Sequence, residues 1–279
     1  MEFNPVIQDN ENFDREFPPT MDPVIFQSEG EKIVGTMFVA NGKGPHPVVL
    51  LLHGFPGNET NFDLAHAFRR AGFNVLVFHY RGTWGSSGEF SFVNGIKDTE
   101  NALKFLQNEK VCKNYRIDST RINVAGYSMG GFFGMFNSLE NQNIKNIAFI
   151  TGFNFGLFSK LMPTIEDAEK MTFESLQKGS AILSKADPEI LFEQIKNNSE
   201  NWDLVSHISK LKERNLLFIS GLYDTIAPLE IHHKPLSAAA KAANINLEEH
   251  ILETGHGLSN KRIELADLLT KWLCRFNDL

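Results

Sequence analysis

Runs of nearly unbroken apolar residues alternate along this chain with stretches whose apolar positions recur every three or four residues. "HPVVLLLHG" (46–54), "FNVLVFHYRG" (73–82), "RINVAGYS" (121–128), "IKNIAFITG" (144–152) and "NLLFISG" (215–221) are of the first kind. A strand covered on both faces has no solvent side to mark with polar residues, so these runs are predicted as central strands. "VIFQS" (24–28) and "KIVGTMFVA" (32–40) are predicted as an opening antiparallel pair, and the more polar "NLEEHILE" (246–253) as a last strand nearer an edge. Helices are predicted over 61–73, where Phe62, Ala65, Phe68 and Arg69 share a face, and over 95–109, with Ile96, Ala102, Leu103 and Leu106. Such alternation predicts an α/β fold: a mostly parallel twisted sheet of about eight strands, right-handed crossovers and helices on both faces.

In such sheets ligands bind beyond the carboxyl ends of the strands. Five loops follow strands on that rim: "HGFPGNE" (53–59), "HYRGTWGSSGE" (79–89), "GYSMGG" (126–131), "GLYDTIAP" (221–228) and "TGHGLS" (254–259). "GYSMG" matches the G-x-S-x-G elbow, in which a serine is held out on a sharp strand-to-helix turn and the glycines remove β-carbons that would collide with nearby backbone. The bland alternative for Ser128 is a helix cap. A serine hydroxyl needs an adjacent base, and the base needs a carboxylate to orient it. Taken singly, Asp224 reads as a turn residue and His256 as a loop histidine. In the order Ser128, Asp224, His256, each after a predicted strand, they favour a nucleophile–base–carboxylate set.

Composition narrows the reading further. With 279 residues, 42% of them hydrophobic, the chain can bury a large core, so one main domain over 21–279 is expected behind a loose arm at 1–20. A formal net charge of −7 and no basic patch argue against nucleic-acid binding. The two cysteines, Cys112 and Cys274, are far apart and are expected as free thiols. The opening "MEFNPVIQDNENFDREFPP" lacks a basic start and an apolar run, and no membrane-length apolar stretch follows; a soluble cytoplasmic protein is the expectation. Residues 153–207 are too long for one crossover and are expected to form a small helical cap, with Thr164 and Asp167 in a capping pattern and Asp187 capping a helix that opens on Pro188. Phe155 and Phe158 are candidates for an acyl pocket there, with packing of the cap onto the core as the alternative.

Several polar residues carry two readings. His53 is read as holding its own loop rather than as a base. Arg81 is read as bonding neighbouring carbonyls rather than an anionic substrate. His232 and His233 are adjacent on a predicted helix and point in different directions, so no metal site is expected.

From about residue 32 onward, "HGFPGN", "YRGTWGSSG", "GYSMGG", "GLYDTIAP" and "GHG" resemble the esterase and prolyl-oligopeptidase-like branches of the α/β-hydrolase superfamily. The resemblance implies Ser128 as nucleophile, His256 as general base and acid, and Asp224 as the orienting carboxylate. It also implies an oxyanion hole made by the backbone N–H groups of Met129 and Phe55. "HGFPG" departs from the "HGGG" form of that loop, and His79 stands where many relatives carry an acidic residue before "RG". A serine nucleophile sets the chain apart from the dehalogenase and epoxide-hydrolase branches, which use Asp. The implied activity is hydrolysis of small carboxylic esters without a cofactor. A peptidase or thioesterase of the same fold is the alternative, and a non-catalytic binding protein is more remote.

Overall fold

The computed structural model describes residues 3–279; Met1 and Glu2, the start of the expected arm, lie outside the described residues. The strands are β1 (Thr20–Ser28), β2 (Glu31–Val39), β3 (His46–Leu52), β4 (Asn74–Phe78), β5 (Ile117–Tyr127), β6 (Ile144–Ile150), β7 (Asn215–Gly221) and β8 (Asn246–Leu252). They form one eight-stranded sheet in the order β1-β2-β4-β3-β5-β6-β7-β8. β1, β2 and β4 pair antiparallel, and every pairing from β4 through β3 to β8 is parallel.

The helices are α1 (Phe62–Arg70), α2 (Phe92–Leu106), α3 (Glu109–Tyr115), α4 (Met129–Ser138), α5 (Phe155–Leu161), α6 (Ala168–Ser180), α7 (Pro188–Asn197), α8 (Leu204–His207), α9 (Lys234–Ala242) and α10 (Arg262–Arg275). Strand residues point alternately to opposite faces, so the apolar runs divide between two cores. Val48, Leu50 and Leu52 of β3 pack with Leu103 of α2, Phe132 and Phe133 of α4 and Leu236 of α9. Val49 and Leu51 pack on the other face with Leu64 and Phe68 of α1 and Leu269 and Trp272 of α10.

Side-chain capping explains where local structure departs from expectation. α2 starts at Phe92 rather than near residue 95 because the Ser91 hydroxyl accepts the Asn94 N–H at 3.1 Å. α3, which the apolar pattern does not announce, is started by Asn108 accepting from Lys110 and Val111. Asp187 caps α7 as expected. The Thr164–Asp167 pattern does not operate: Thr164 donates its hydroxyl to the Leu161 carbonyl, and Asp167 precedes α6 with φ 56° and no side-chain cap. Within the described part of the arm, Pro5 and Val6 are tied down by Arg70, which donates to both carbonyls, and Pro18 by Arg116.

At the amino ends of four adjacent parallel strands the register brings asparagines side by side. Asn146 Nδ2 donates to Asn123 Oδ1 (2.7 Å), Asn215 to Asn146 (2.8 Å) and Asn246 to Asn215 (2.7 Å), while Asn277 after α10 closes the row on Asn123. The Asn123, Asn146, Asn215 and Asn277 amides both donate and accept, and Asn246 donates at the end of the row, so the ladder opposes a one-residue slip that would turn these side chains to the other face.

At the opposite end of the sheet, the chain leaves β3 for β4 on one side and leaves β5 for β6 on the other, so the connections after these two neighbouring strands diverge. This is the switch point at which the loops after β3 and β5 meet. Among the described residues no helix is long and apolar enough to cross a membrane.

Candidate active site

The elbow sits between the end of β5 and the start of α4. Ser128 has φ 55° and ψ −118°, a region that costs a non-glycine residue about 1–3 kcal/mol. Close packing explains the flanking glycines: a β-carbon on Gly126 would fall 2.2 Å from the Gly130 carbonyl oxygen, and one on Gly130 would fall 2.4 Å from that of Leu52. Although Ser128 occupies the capping position of α4, its side chain caps nothing. The hydroxyl instead lies 3.0 Å from His256 Nε2. His256 Nδ1 is 2.8 Å from Asp224 Oδ2, and Asp224 Oδ1 accepts the N–H groups of Ile226 (2.9 Å) and Ala227 (2.8 Å).

An ionised carboxylate next to Nδ1 puts the imidazole proton there and leaves Nε2 to accept from Ser128. Burial pushes the Asp224 carboxyl up, but the bond from His256 and the two amides outweigh it and hold its pKa below the ordinary value. Tyr127, the residue before the serine, donates its phenol to the His256 carbonyl at 3.0 Å and so ties the histidine loop to the elbow.

The loop after β3 lies directly against the elbow: a β-carbon on Gly54 would sit 3.1 Å from Ser128 Cβ. Phe55 follows at once. Met129 is the first residue of α4, so its N–H has no partner within that helix. Neither the Met129 nor the Phe55 N–H appears in a turn, loop or cap bond to a backbone carbonyl of the described residues. His53 secures this loop by donating Nδ1–H to the Gly54 carbonyl (2.8 Å), while Tyr80 donates to the His53 carbonyl (3.2 Å). The ring is fully buried, and burial lowers its pKa to about 4.

Residues between β6 and β7 form α5 through α8, and they touch the site in two places. Phe153 donates its N–H to the Ser128 carbonyl, and α6 rests on the Phe55 ring at Gly179. Phe155 is 5% exposed inside a cluster with Phe92, Phe132, Phe153 and Trp202, so its ring packs the insertion onto α2 and α4. Phe158 is half-buried between Phe153 and His232.

Three contacts around the site escape sequence reasoning. Arg81 bonds one carbonyl, that of Asn94, but its main partner is the buried Asp98 of α2, at 2.6 Å from Nε; Asp98 also accepts the Arg81 N–H and the Ser28 hydroxyl. Asp98 thus supplies, from a helix, a carboxylate for the "RG" loop. The available signal was a charge on the apolar face of α2. The Tyr127–His256 bond and the placing of His232 beside Asp224 had no such signal.

The sequence matches the BD-FAE family over residues 37–228, a range that includes Ser128 and Asp224 and stops short of His256. An uncharacterized 31.7 kDa protein of Escherichia coli is 27% identical over 191 residues, covering 62% of this chain and 66% of its own. The chain thus spans a little less than two thirds of that relative's length. Among solved structures, an esterase of Pyrococcus furiosus is similar with a TM-score of 0.66 and 21% identity, over 96% of this chain and 99% of that one. An acylaminoacyl peptidase of Pyrococcus horikoshii is similar with a TM-score of 0.68 and 17% identity, over 91% of this chain and 41% of that one. At these identities the structural likeness speaks for the fold. With the family matched over more than half of the chain and the sheet order described above, this protein belongs to the BD-FAE family and has the α/β-hydrolase fold.

Proposed function

We propose that this chain is a serine hydrolase that cleaves small carboxylic esters through an acyl-enzyme. The observation that supports this reading most is the unbroken hydrogen-bond line Asp224–His256–Ser128, at 2.8 and 3.0 Å, with the serine strained out of a capping role. In this reaction Ser128 Oγ attacks the ester carbonyl while His256 Nε2 takes its proton, and Asp224 holds Nδ1–H and stabilises the imidazolium. The N–H groups of Met129 and Phe55 donate to the oxyanion of the tetrahedral intermediate. His256 then protonates the departing alcohol, and water repeats the sequence on the acyl-enzyme.

The same machinery serves amides and thioesters, and the likeness to an acylaminoacyl peptidase keeps an amide substrate as the second reading. A panel of 4-nitrophenyl esters, 4-nitroanilides and thioesters, together with labelling by a fluorophosphonate probe, separates these classes. Ser128→Ala is expected to lose labelling and at least about 10⁴-fold in turnover, and Asp224→Asn up to about 10⁴-fold, because an amide can stabilise the wrong tautomer of His256. Near-normal turnover by folded Ser128→Ala would refute the serine mechanism. Preference for anilides over esters would move the assignment to a peptidase.

A further inference from the structure

Two adjacent histidines precede α9, in a single turn of π-helix over Leu229–His233, an irregularity that often marks functional positions. Both are buried, but they are partnered differently. His233 uses both ring nitrogens, Nδ1 with Ser220 Oγ (2.8 Å) and Nε2 with Glu249 Oε1 (3.0 Å), which accounts for it as a link between the helix and β7–β8. His232 uses only one. Its Nδ1 accepts the backbone N–H of Asn154 at 2.9 Å, so Nε2 carries the proton, and that Nε2–H is buried with no hydrogen-bond partner among the described residues.

A buried donor left unmade costs about 1–3 kcal/mol, and native structures retain few of them without a use. The position of His232 suggests the use. In a tilted arrangement its ring lies against Phe153 (4.0 Å between centroids, 36° between planes), whose own N–H is bonded to the Ser128 carbonyl, and it lies near Phe158 of α5 (5.7 Å). It therefore lies where the elbow, the Asp224 loop and the insertion meet. Burial lowers its pKa to about 3, against the pull of nearby Asp224, so the ring is neutral and Nε2 stays a donor at ordinary pH.

We infer that His232 Nε2–H is a specificity contact for the substrate, donating a hydrogen bond to an ether, hydroxyl or carbonyl oxygen that the ester carries beyond its scissile carbonyl. This inference rests on the serine-hydrolase reading. Between aromatic rings a donor gains most from an acceptor that arrives with the substrate, since water competes poorly there. The substrate class is accordingly an oxygen-bearing ester rather than a plain alkyl one.

The test compares kcat/KM for two pairs of equal size. One varies the acyl side, 4-nitrophenyl methoxyacetate against 4-nitrophenyl butanoate; the other varies the alcohol side, 2-methoxyethyl acetate against butyl acetate. Relative to wild type, His232→Phe is expected to lower the ether-to-hydrocarbon ratio by roughly 10- to 100-fold in one pair, and which pair responds tells whether the oxygen sits on the acyl or the alcohol portion. His232→Gln, which can return a donor near Nε2, is expected to recover part of the ratio. If His232→Phe does not fold, His232→Asn carries the same comparison, because it still offers an acceptor to the Asn154 N–H and withdraws the Nε2–H. A ratio unchanged in both pairs, as when only water meets Nε2, overturns the inference. If turnover proves independent of Ser128, the serine-hydrolase reading fails first; if turnover needs Ser128 and the ratios do not move, the His232 inference fails alone. No Ser128-dependent turnover of any of the four esters overturns both.

Discussion

Acidification from pH 7 to pH 5 is predicted to remove about 4 kcal/mol of folding stability through two histidines buried as neutral rings. His53 and His232 are each 1% exposed. Burial lowers the His53 pKa from 6.5 to about 4, with the Gly54 carbonyl opposing and the neighbouring His79 adding to the fall. Burial lowers that of His232 to about 3, with Asp224 opposing and His256 adding. Protonation is costly at each ring for a separate reason. At His53 the new proton falls on Nε2, which has no acceptor among the described residues. At His232 it falls on Nδ1, which already accepts from Asn154 and would have to give up that bond.

Because both folded values lie below the unfolded one, the unfolded chain binds more protons across the interval. Stability is complete above about pH 6.5 and is lost as the pH falls toward the folded pKa. The drop from 6.5 to 5 is about 1.5 units at about 1.36 kcal/mol each, so each ring loses about 2 kcal/mol. His46, His66, His79 and His233 are lowered by burial too and deepen the loss. Urea unfolding at pH 7, 6 and 5, followed by the fluorescence of buried Trp202 and Trp272, measures it. The slope should be shallower in a His53→Gln/His232→Gln double variant, whatever its absolute stability. Stability at pH 5 within about 1 kcal/mol of that at pH 7, or an unchanged slope in the double variant, would refute the reasoning.

Two further outcomes follow from the packing. Asn146→Ala removes the middle rung of the asparagine ladder and leaves Asn215 without its acceptor, so a loss of about 1–3 kcal/mol is expected in urea unfolding with hydrolase kinetics unaltered; a change under about 0.5 kcal/mol would mean that water replaces the rung. The two candidate pocket phenylalanines should separate: Phe155→Ala, at a buried site, is expected to cost about 3–5 kcal/mol of stability, whereas Phe158→Ala should shift the preferred acyl length by roughly 10- to 200-fold in kcat/KM, and the pocket assignment fails if the chain-length profile stays as it was.

What could be read from the chain was written in consecutive residues. A strand buried on both faces shows itself as an apolar run, as in 48–52, because every side chain along it meets another layer. The elbow shows itself in "GYSMGG" because the backbone around Ser128 leaves no room for β-carbons at Gly126 and Gly130. That Asp224 and His256 lie near the serine was legible because parallel strands deliver successive loops to one rim.

Other contacts depended on register, crossing and burial. Arg81 meets Asp98 only when α2 packs back against the "RG" loop. Asn123, Asn146, Asn215 and Asn246 become a ladder only when four strands separated by helices align in one register. His232 and His233 are identical neighbours in the sequence, yet one has both ring nitrogens hydrogen-bonded and the other keeps a donor with no partner among the described residues. Local pattern reports which faces must avoid water, because that cost is paid residue by residue. Which polar groups find partners depends on the chain segments that arrive from far away, and only the packed fold brings them together.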